Sequence, residues 1–358
     1  MSYENFSAII LEHSYPLDEL IQVSQFLKQQ DLIVSAYHPD RDELYDPVTF
    51  LQDNALGAEY LILPDRNIVS RVARLAKDGL IDPHITTVAS LMAFALYLDI
   101  QFEPSISFHE LAPNKGNSAA IDELACFRAA DNTSAREWLD LALGVSSGLR
   151  NVPEPKQLEA QNLAAPLNRW RRNYAILLKV AELELSKSKS RDKMMSLLDW
   201  MYKDFIVGGP AAIFAAVYFA PNSPPKKGFL KNIHSSDREK AIRGVMNAAW
   251  DVTHISDFVR RLNEKPNSSQ RVLLASLDDG VRLMAKIIVD TAQGEVWQTA
   301  AVLSRWWAHR DAEEIAERLG EYIEEVRRHA ENNTYRISNL DVLGAIVSGE
   351  QAVRSWKP

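Results

Sequence analysis

Four acidic side chains stand where they could do chemistry together: Asp65, Glu110, Asp251 and Asp278. Asp65 and Asp278 each follow a short apolar run, at residues 60–63 and 271–275, and each precedes a stretch whose apolar residues recur at helical spacing. A strand that ends on a carboxylate beside a helix start sets that carboxylate at the carboxyl edge of a sheet, where open α/β folds build their sites. The position equally suits a helix N-cap, and both uses of Asp65 remain open at this level. Glu110 lies in SISFHELA, which reads as a capped helix start with Ser107 three residues before the acid. Asp251 falls near the middle of a helical stretch, 246–262. Carboxylates are hard oxygen ligands that suit Mg²⁺ or Mn²⁺. Four of them in one cleft would repel each other without a divalent cation, and with one they could activate water and stabilise the leaving oxygen of a phosphodiester.

A second group of residues has chemical potential of another kind. Arg169, Arg171 and Arg172 surround Trp170. Such a cluster can contact phosphate and stack on a base, or it can be a helix that buries one tryptophan and keeps its arginines in water. The acids Asp122, Glu123 and Asp131 read as a helix surface, and His109, His234, His254 and His309 show no metal-ligand spacing. The chain has no Walker-type phosphate loop, dinucleotide fingerprint or GxSxG elbow, so ATP, NAD and serine-hydrolase chemistry have no support.

The elements that must position these groups alternate between strand-like and helical patterns. Strands are expected at residues 7–11, 32–36, 60–63, 100–102 and 271–275, and helices at 17–27, after Asp65, and at 85–98, the last apolar on nearly every face. The acids of HPDRDELYDP read as a solvated loop. Ser236 with Glu239 forms a capping-box pattern ahead of the Asp251 helix or helix pair. Helices are then expected at 281–289, 296–309 and 311–332.

With 358 residues, 46% hydrophobic and 25% charged, the chain can bury a core, and it is long enough for two domains or for one with a large insertion. A net charge of −8 excludes a broadly basic surface, so nucleic acid would need a local positive groove. Cys126 is the single cysteine, which rules out an intrachain disulfide. No apolar run approaches the roughly 20 residues that span a bilayer, and the start MSYENFSAII lacks signal-peptide character. The expectation is a cytoplasmic protein without a membrane partner.

Taken in order, YLILPDRNIVSRV, SFHEL, AAWDVTHI and VLLASLDDGVRLMA resemble the motifs of the PIN-like nuclease superfamily, the group that includes VapC-type toxins. The resemblance implies a three-layer α/β/α sandwich with a parallel sheet and metal-dependent cleavage of RNA, with another single-stranded nucleic acid as the alternative substrate. It implies that Asp65, Glu110, Asp251 and Asp278 hold Mg²⁺ or Mn²⁺, with Asn67 and Ser276 in support. Asp257 stands as an alternative to Asp251, and Asp279 to Asp278. Arg169, Arg171 and Arg172 would then contact substrate. On this basis an N-terminal α/β extension covers 1–57, the PIN-like core 58–113 and 246–295, an all-α insertion 114–245, and a C-terminal helical region 296–358. A toxin or defence role would fit, with a protein inhibitor or partner docking on the helical regions. The competing expectation is a non-catalytic interaction protein on a degenerate core of the same kind.

Overall fold

The computed structural model describes residues 10–38, 40–79, 82–156, 161–224, 228–264, 269–292, 295–331 and 341–357. The chain forms two compact units, residues 1–165 with 260–278, and residues 166–259 with 279–358.

The first unit contains α1 (Leu17–Gln30), β1 (Ile33–Ser35), α2 (Arg41–Leu44), α3 (Pro47–Ala55), β2 (Glu59–Pro64), α4 (Arg66–Asp78), α5 (Ile85–Tyr97), β3 (Gln101–Phe102), α6 (Ser105–Lys115), α7 (Asn117–Asp131), α8 (Ala135–Ala142) and β4 (Gln270–Ala275). Its strands make one four-stranded sheet of order β1-β4-β2-β3. The central pair, β2 and β4, is parallel and runs in register from Glu59 opposite Gln270 to Pro64 opposite Ala275. Both strands are apolar runs, as expected of strands covered on both faces. The expected all-parallel sheet needs one correction: β1 lies antiparallel to β4 at one edge. The architecture is therefore mixed α/β with a mostly parallel open sheet.

The helices cover this sheet for reasons visible in their sequences. Ile68, Val69, Val72, Ala73 and Leu75 form the buried stripe of α4, and Gly79 ends that helix in the left-handed conformation at φ 61°. Residues 87–95 of α5 are all buried, matching its unbroken apolar composition. α7 packs on α4 and α8 on α5, so these two helices, assigned from sequence to the insertion, fold with the sheet. The loop expected around HPDRDELYDP contains α2 and the start of α3, with Asp40 and Asp46 as their N-caps. Of the strand expected at 7–11, residues 7–9 lie outside the described set, and Ile10 and Leu11 are not in a strand.

The second unit is helical among its described residues: α9 (Asn168–Glu184), α10 (Ser190–Lys203), α11 (Gly209–Phe219), most of α12 (Arg238–Glu264), α13 (Asp279–Ala292), α14 (Val296–Leu303), α15 (His309–Glu331) and α16 (Val342–Ser355). The Asp251 segment is one 27-residue helix, α12, and not a helix pair. Asp237, not Ser236, caps it, accepting the Lys240 N–H at 3.0 Å. Residue 332, the last of the helix expected at 311–332, lies outside the described residues. Among the described residues no helix is long and apolar enough to cross a membrane.

Candidate active site at the carboxyl edge of the sheet

The register of the central strands decides which residues meet at the sheet edge. Because Pro64 pairs with Ala275, the next residues, Asp65 and Ser276, come side by side although 211 positions separate them in sequence. The Asp65 N–H donates to the Ala275 carbonyl at 2.9 Å, and the Ser276 N–H donates to the Leu32 carbonyl at 3.2 Å. Asp65 is 4% exposed and Ser276 is fully buried. The Asp65 carboxylate accepts the Ile68 N–H on Oδ1 at 2.9 Å, which makes it the N-cap of α4, and accepts the Ser276 hydroxyl on Oδ2. The Asp278 N–H in turn donates to Ser276 Oγ at 3.0 Å, so one hydroxyl ties the side chain of Asp65 to the backbone of Asp278.

α6 reaches the same edge. The fully buried Ser107 hydroxyl donates at 3.0 Å to the Pro64 carbonyl, which belongs to the peptide that leads into Asp65. The sequence pattern made Ser107 a cap. It lies instead inside α6, which begins at Ser105 without a side-chain cap from Pro104, because its hydroxyl is used to dock the helix on β2. Glu110 lies three residues further along and so projects from the same helix face; it is half-buried.

The remaining expected residues are placed as follows. Asn67 is exposed on the first turn of α4, where its backbone carbonyl accepts from Ser70 and Arg71. Asp279 is exposed and pairs with Arg282 one turn along α13. Asp251 and Asp257 belong to the second unit, on α12, where Asp251 is half-buried. Asp257 is 3% exposed and held by Arg169 at 2.5 Å, a structural ion pair that engages both an alternative acid and a candidate substrate contact. Trp170 stacks between Tyr174 and Trp250, with ring centroids at 4.9 and 5.3 Å, so its faces are covered by protein and not offered to a base. Arg171 and Arg172 are half-buried on α9, and neither pairs with an acid among the described residues.

Two pairings went unread in the sequence. Arg66, the residue after Asp65, is gripped by Glu123 of α7 in a bidentate pair at 2.5 and 3.0 Å, which pins α7 beside the sheet edge. At the opposite end of the central strands, Tyr60 and Arg271 face each other in register and converge on Asp53, with His38 Nε2 2.7 Å from the Tyr60 hydroxyl. Burial lowers the His38 pKa below its ordinary value, against the opposing pull of Asp53, and burial likewise pushes the Tyr60 hydroxyl up. Only the lone Arg271 in the mostly apolar β4 hinted at this cluster.

Among the described residues no group of three or more His, Cys, Asp or Glu side chains is arranged to hold a metal ion. The donor chemistry at the edge nonetheless suits a hard cation. Mg²⁺ is commonly bound through one or two carboxylates together with substrate phosphates. Hydrogen bonds from the Ile68 N–H and the Ser276 hydroxyl orient the Asp65 carboxylate. No protein-family model matches this chain, and no curated protein or solved structure matches it either.

Proposed function

We infer that this chain is a metal-dependent nuclease of PIN-like type, acting on RNA with its acidic site at the carboxyl edge of the β2–β4 pair. One observation carries the inference: Asp65, buried at the end of a central parallel strand, is oriented by the Ser276 hydroxyl, which also receives the backbone of Asp278. Open α/β sheets build their ligand sites outside the carboxyl ends of their strands, which is where these groups from two distant segments meet. Asp65 and Asp278 would hold Mg²⁺ or Mn²⁺, with Glu110 of the same unit as the third acid; Asp251 belongs to the other unit and is not part of this proposed site. The cation would supply a lowered pKa for bound water and charge stabilisation at the phosphodiester. Ser276 holds the Asp65 carboxylate in one rotamer, and the α4 cap through the Ile68 N–H fixes the other oxygen. Ser107 fixes the distance between α6 and the strand that carries Asp65. Arg171 and Arg172 remain the basic residues proposed to contact the RNA backbone, and a role as a toxin or defence effector fits such an activity.

A non-catalytic scaffold is the second reading, favoured by the cap itself: a carboxylate hydrogen-bonded by Ile68 and Ser276 already has a structural use. Cleavage of structured RNA, single-stranded RNA and single-stranded DNA, with Mg²⁺, Mn²⁺ or chelator, separates the two. Metal-dependent cutting by the wild type that is lost in folded Asp65→Asn and Asp278→Asn supports the nuclease. No cutting by any of the three folded proteins supports the scaffold.

A further inference from the structure

The antiparallel direction of β1 gives its two ends different partners. At its start the Leu32 carbonyl accepts the Ser276 N–H at 3.2 Å, beside Asp65. Pairing of Ile33, Val34 and Ser35 with Ala275, Leu274 and Leu273 then carries the chain toward the opposite end of β4. There Ser35 Oγ accepts the N–H groups of Tyr37 and His38 at 3.0 and 3.2 Å, a serine turn that leaves the His38 ring stacked on Tyr60. A strand of three residues thus connects the acid edge to the His38 cluster.

The proton positions in that cluster follow from its donors. Arg271 can only donate, and it does so to Asp53 and to Tyr60 Oη, the latter at 2.8 Å. The one hydroxyl proton of Tyr60 goes to Asp53 Oδ2. His38 Nε2, 2.7 Å from Tyr60 Oη, is therefore a donor, and a further proton can enter the ring only at Nδ1. The His38 side chain is 6% exposed and also packs on Phe50. An imidazolium there would be attracted by Asp53 of α3, 3.5 Å from Nε2, and by Glu43 of α2, and repelled by Arg271 of β4. Tyr37 and Tyr60 stay neutral, since burial raises both hydroxyls. Burial outweighs the two carboxylates, so the ring takes its second proton more readily in water than in this cluster.

We propose that the His38 cluster is an acid-sensitive clasp on β1, and that its release below neutral pH loosens the Ser276 edge at the other end of the strand. As an edge strand β1 pairs with β4 alone, over three residues, with the Ile33 N–H also held by the Tyr45 hydroxyl at 2.8 Å. Opening the strand brings His38 into water, where imidazole titrates near 6.5, so acid draws the equilibrium toward the open form. The open strand withdraws the Leu32 carbonyl from Ser276, the residue whose hydroxyl orients Asp65. The clasp requires no nuclease; its use as regulation of the acidic site rests on that reading.

Amide hydrogen exchange of the full chain between about pH 5 and 8, without metal or RNA and corrected for the intrinsic pH dependence of exchange, tests this when read at single residues. Below about pH 6.5 protection of the β1 amides and of the Ser276 amide is expected to fall together, approaching about tenfold per pH unit, the limit for one proton taken up on opening. The Asp65 amide, bonded to Ala275 and not to β1, should hold its protection, as should the amides of α9 in the other unit. His38→Gln keeps a donor at the Nε2 position and does not titrate, so it should remove the pH dependence. Should that variant leave β1 open at every pH, the wild-type comparison of Ser276 with Asp65 decides the matter. Flat protection of β1 on acidification, the same acid loss in folded His38→Gln, a Ser276 amide that stays protected while β1 opens, or Ser276 and Asp65 losing protection in step would overturn the proposal. Absence of nuclease activity would alter none of these readings.

Discussion

Removing the Ser276 hydroxyl tests whether the acid edge is assembled as described. Ser276→Ala deletes an O–H that donates to the Asp65 carboxylate and an oxygen that accepts the Asp278 N–H, at a fully buried position. A hydrogen bond to a charged group contributes about 1.5–3 kcal/mol and a neutral one about 1 kcal/mol, so the loss should be about 2–4 kcal/mol. Asp65→Ala removes the same charged bond together with the α4 cap, which by itself contributes about 0.5–2 kcal/mol. The two substitutions share one interaction, so the double variant should be less destabilised than the sum of the singles by about 1.5–3 kcal/mol. Because the chain has two units, a global melt would blend two transitions. Amide hydrogen exchange of peptides spanning β2–α4 and β4 reads the sheet unit directly. A coupling below about 0.5 kcal/mol, the level at which distant sites simply add, would refute the assembled edge.

If Asp65 and Asp278 form a cation site, Mg²⁺ or Mn²⁺ should raise the melting temperature of the wild type, and Asp65→Asn should abolish the shift. Asparagine caps a helix about as well as aspartate, so an equal shift in that variant would count against the site. His38 gives a pH dependence of defined sign: its folded pKa is depressed by burial, so the unfolded chain binds the extra proton first as pH falls below about 6.5. Stability should be full above that pH and decline from there toward the folded pKa, and urea midpoints between about pH 5 and 8 should show a shallower slope in His38→Asn. Arg169→Ala removes a charged partner of the buried Asp257 carboxylate and should destabilise by about 1–3 kcal/mol, less than a fully buried pair because Arg169 is one-third exposed. Arg171→Ala and Arg172→Ala should leave the unfolding free energy within about 0.5 kcal/mol of wild type while weakening RNA binding, measured by salt-dependent filter retention.

The central strands were legible because they are buried on both faces and therefore read as unbroken apolar runs, each closed by an acid or a serine. Strand direction was not legible for β1. Three residues, Ile33–Ser35, carry no signal that distinguishes antiparallel from parallel pairing with β4. Caps were the least dependable detail. Ser107 and Ser236 both satisfied the spacing of a capping box, yet one hydroxyl docks α6 onto Pro64 and the neighbouring Asp237 took the place of the other. The sheet–helix division shifted because α7 shows its affiliation only through its tertiary packing, with Ala120, Phe127 and Ala130 in the core beneath the sheet and Glu123 on Arg66. No local pattern encodes those partners.

Asp65 illustrates why its two uses need not compete. A carboxylate that caps a helix is held by an N–H at the positive end of that helix. The residue's burial excludes water that would otherwise weaken any interaction with an incoming cation. The serine that donates to its second oxygen also restrains rotation about χ2, so the carboxylate plane is set before a ligand arrives. Capping and preorganisation are thus one arrangement, and what distinguishes a site from a scaffold is whether Asp278 and the α6 face bearing Glu110 add their charge to the same point. The Ser276 Oγ acceptor for the Asp278 N–H spans two residues, the spacing of an ordinary serine turn, so it serves either alternative.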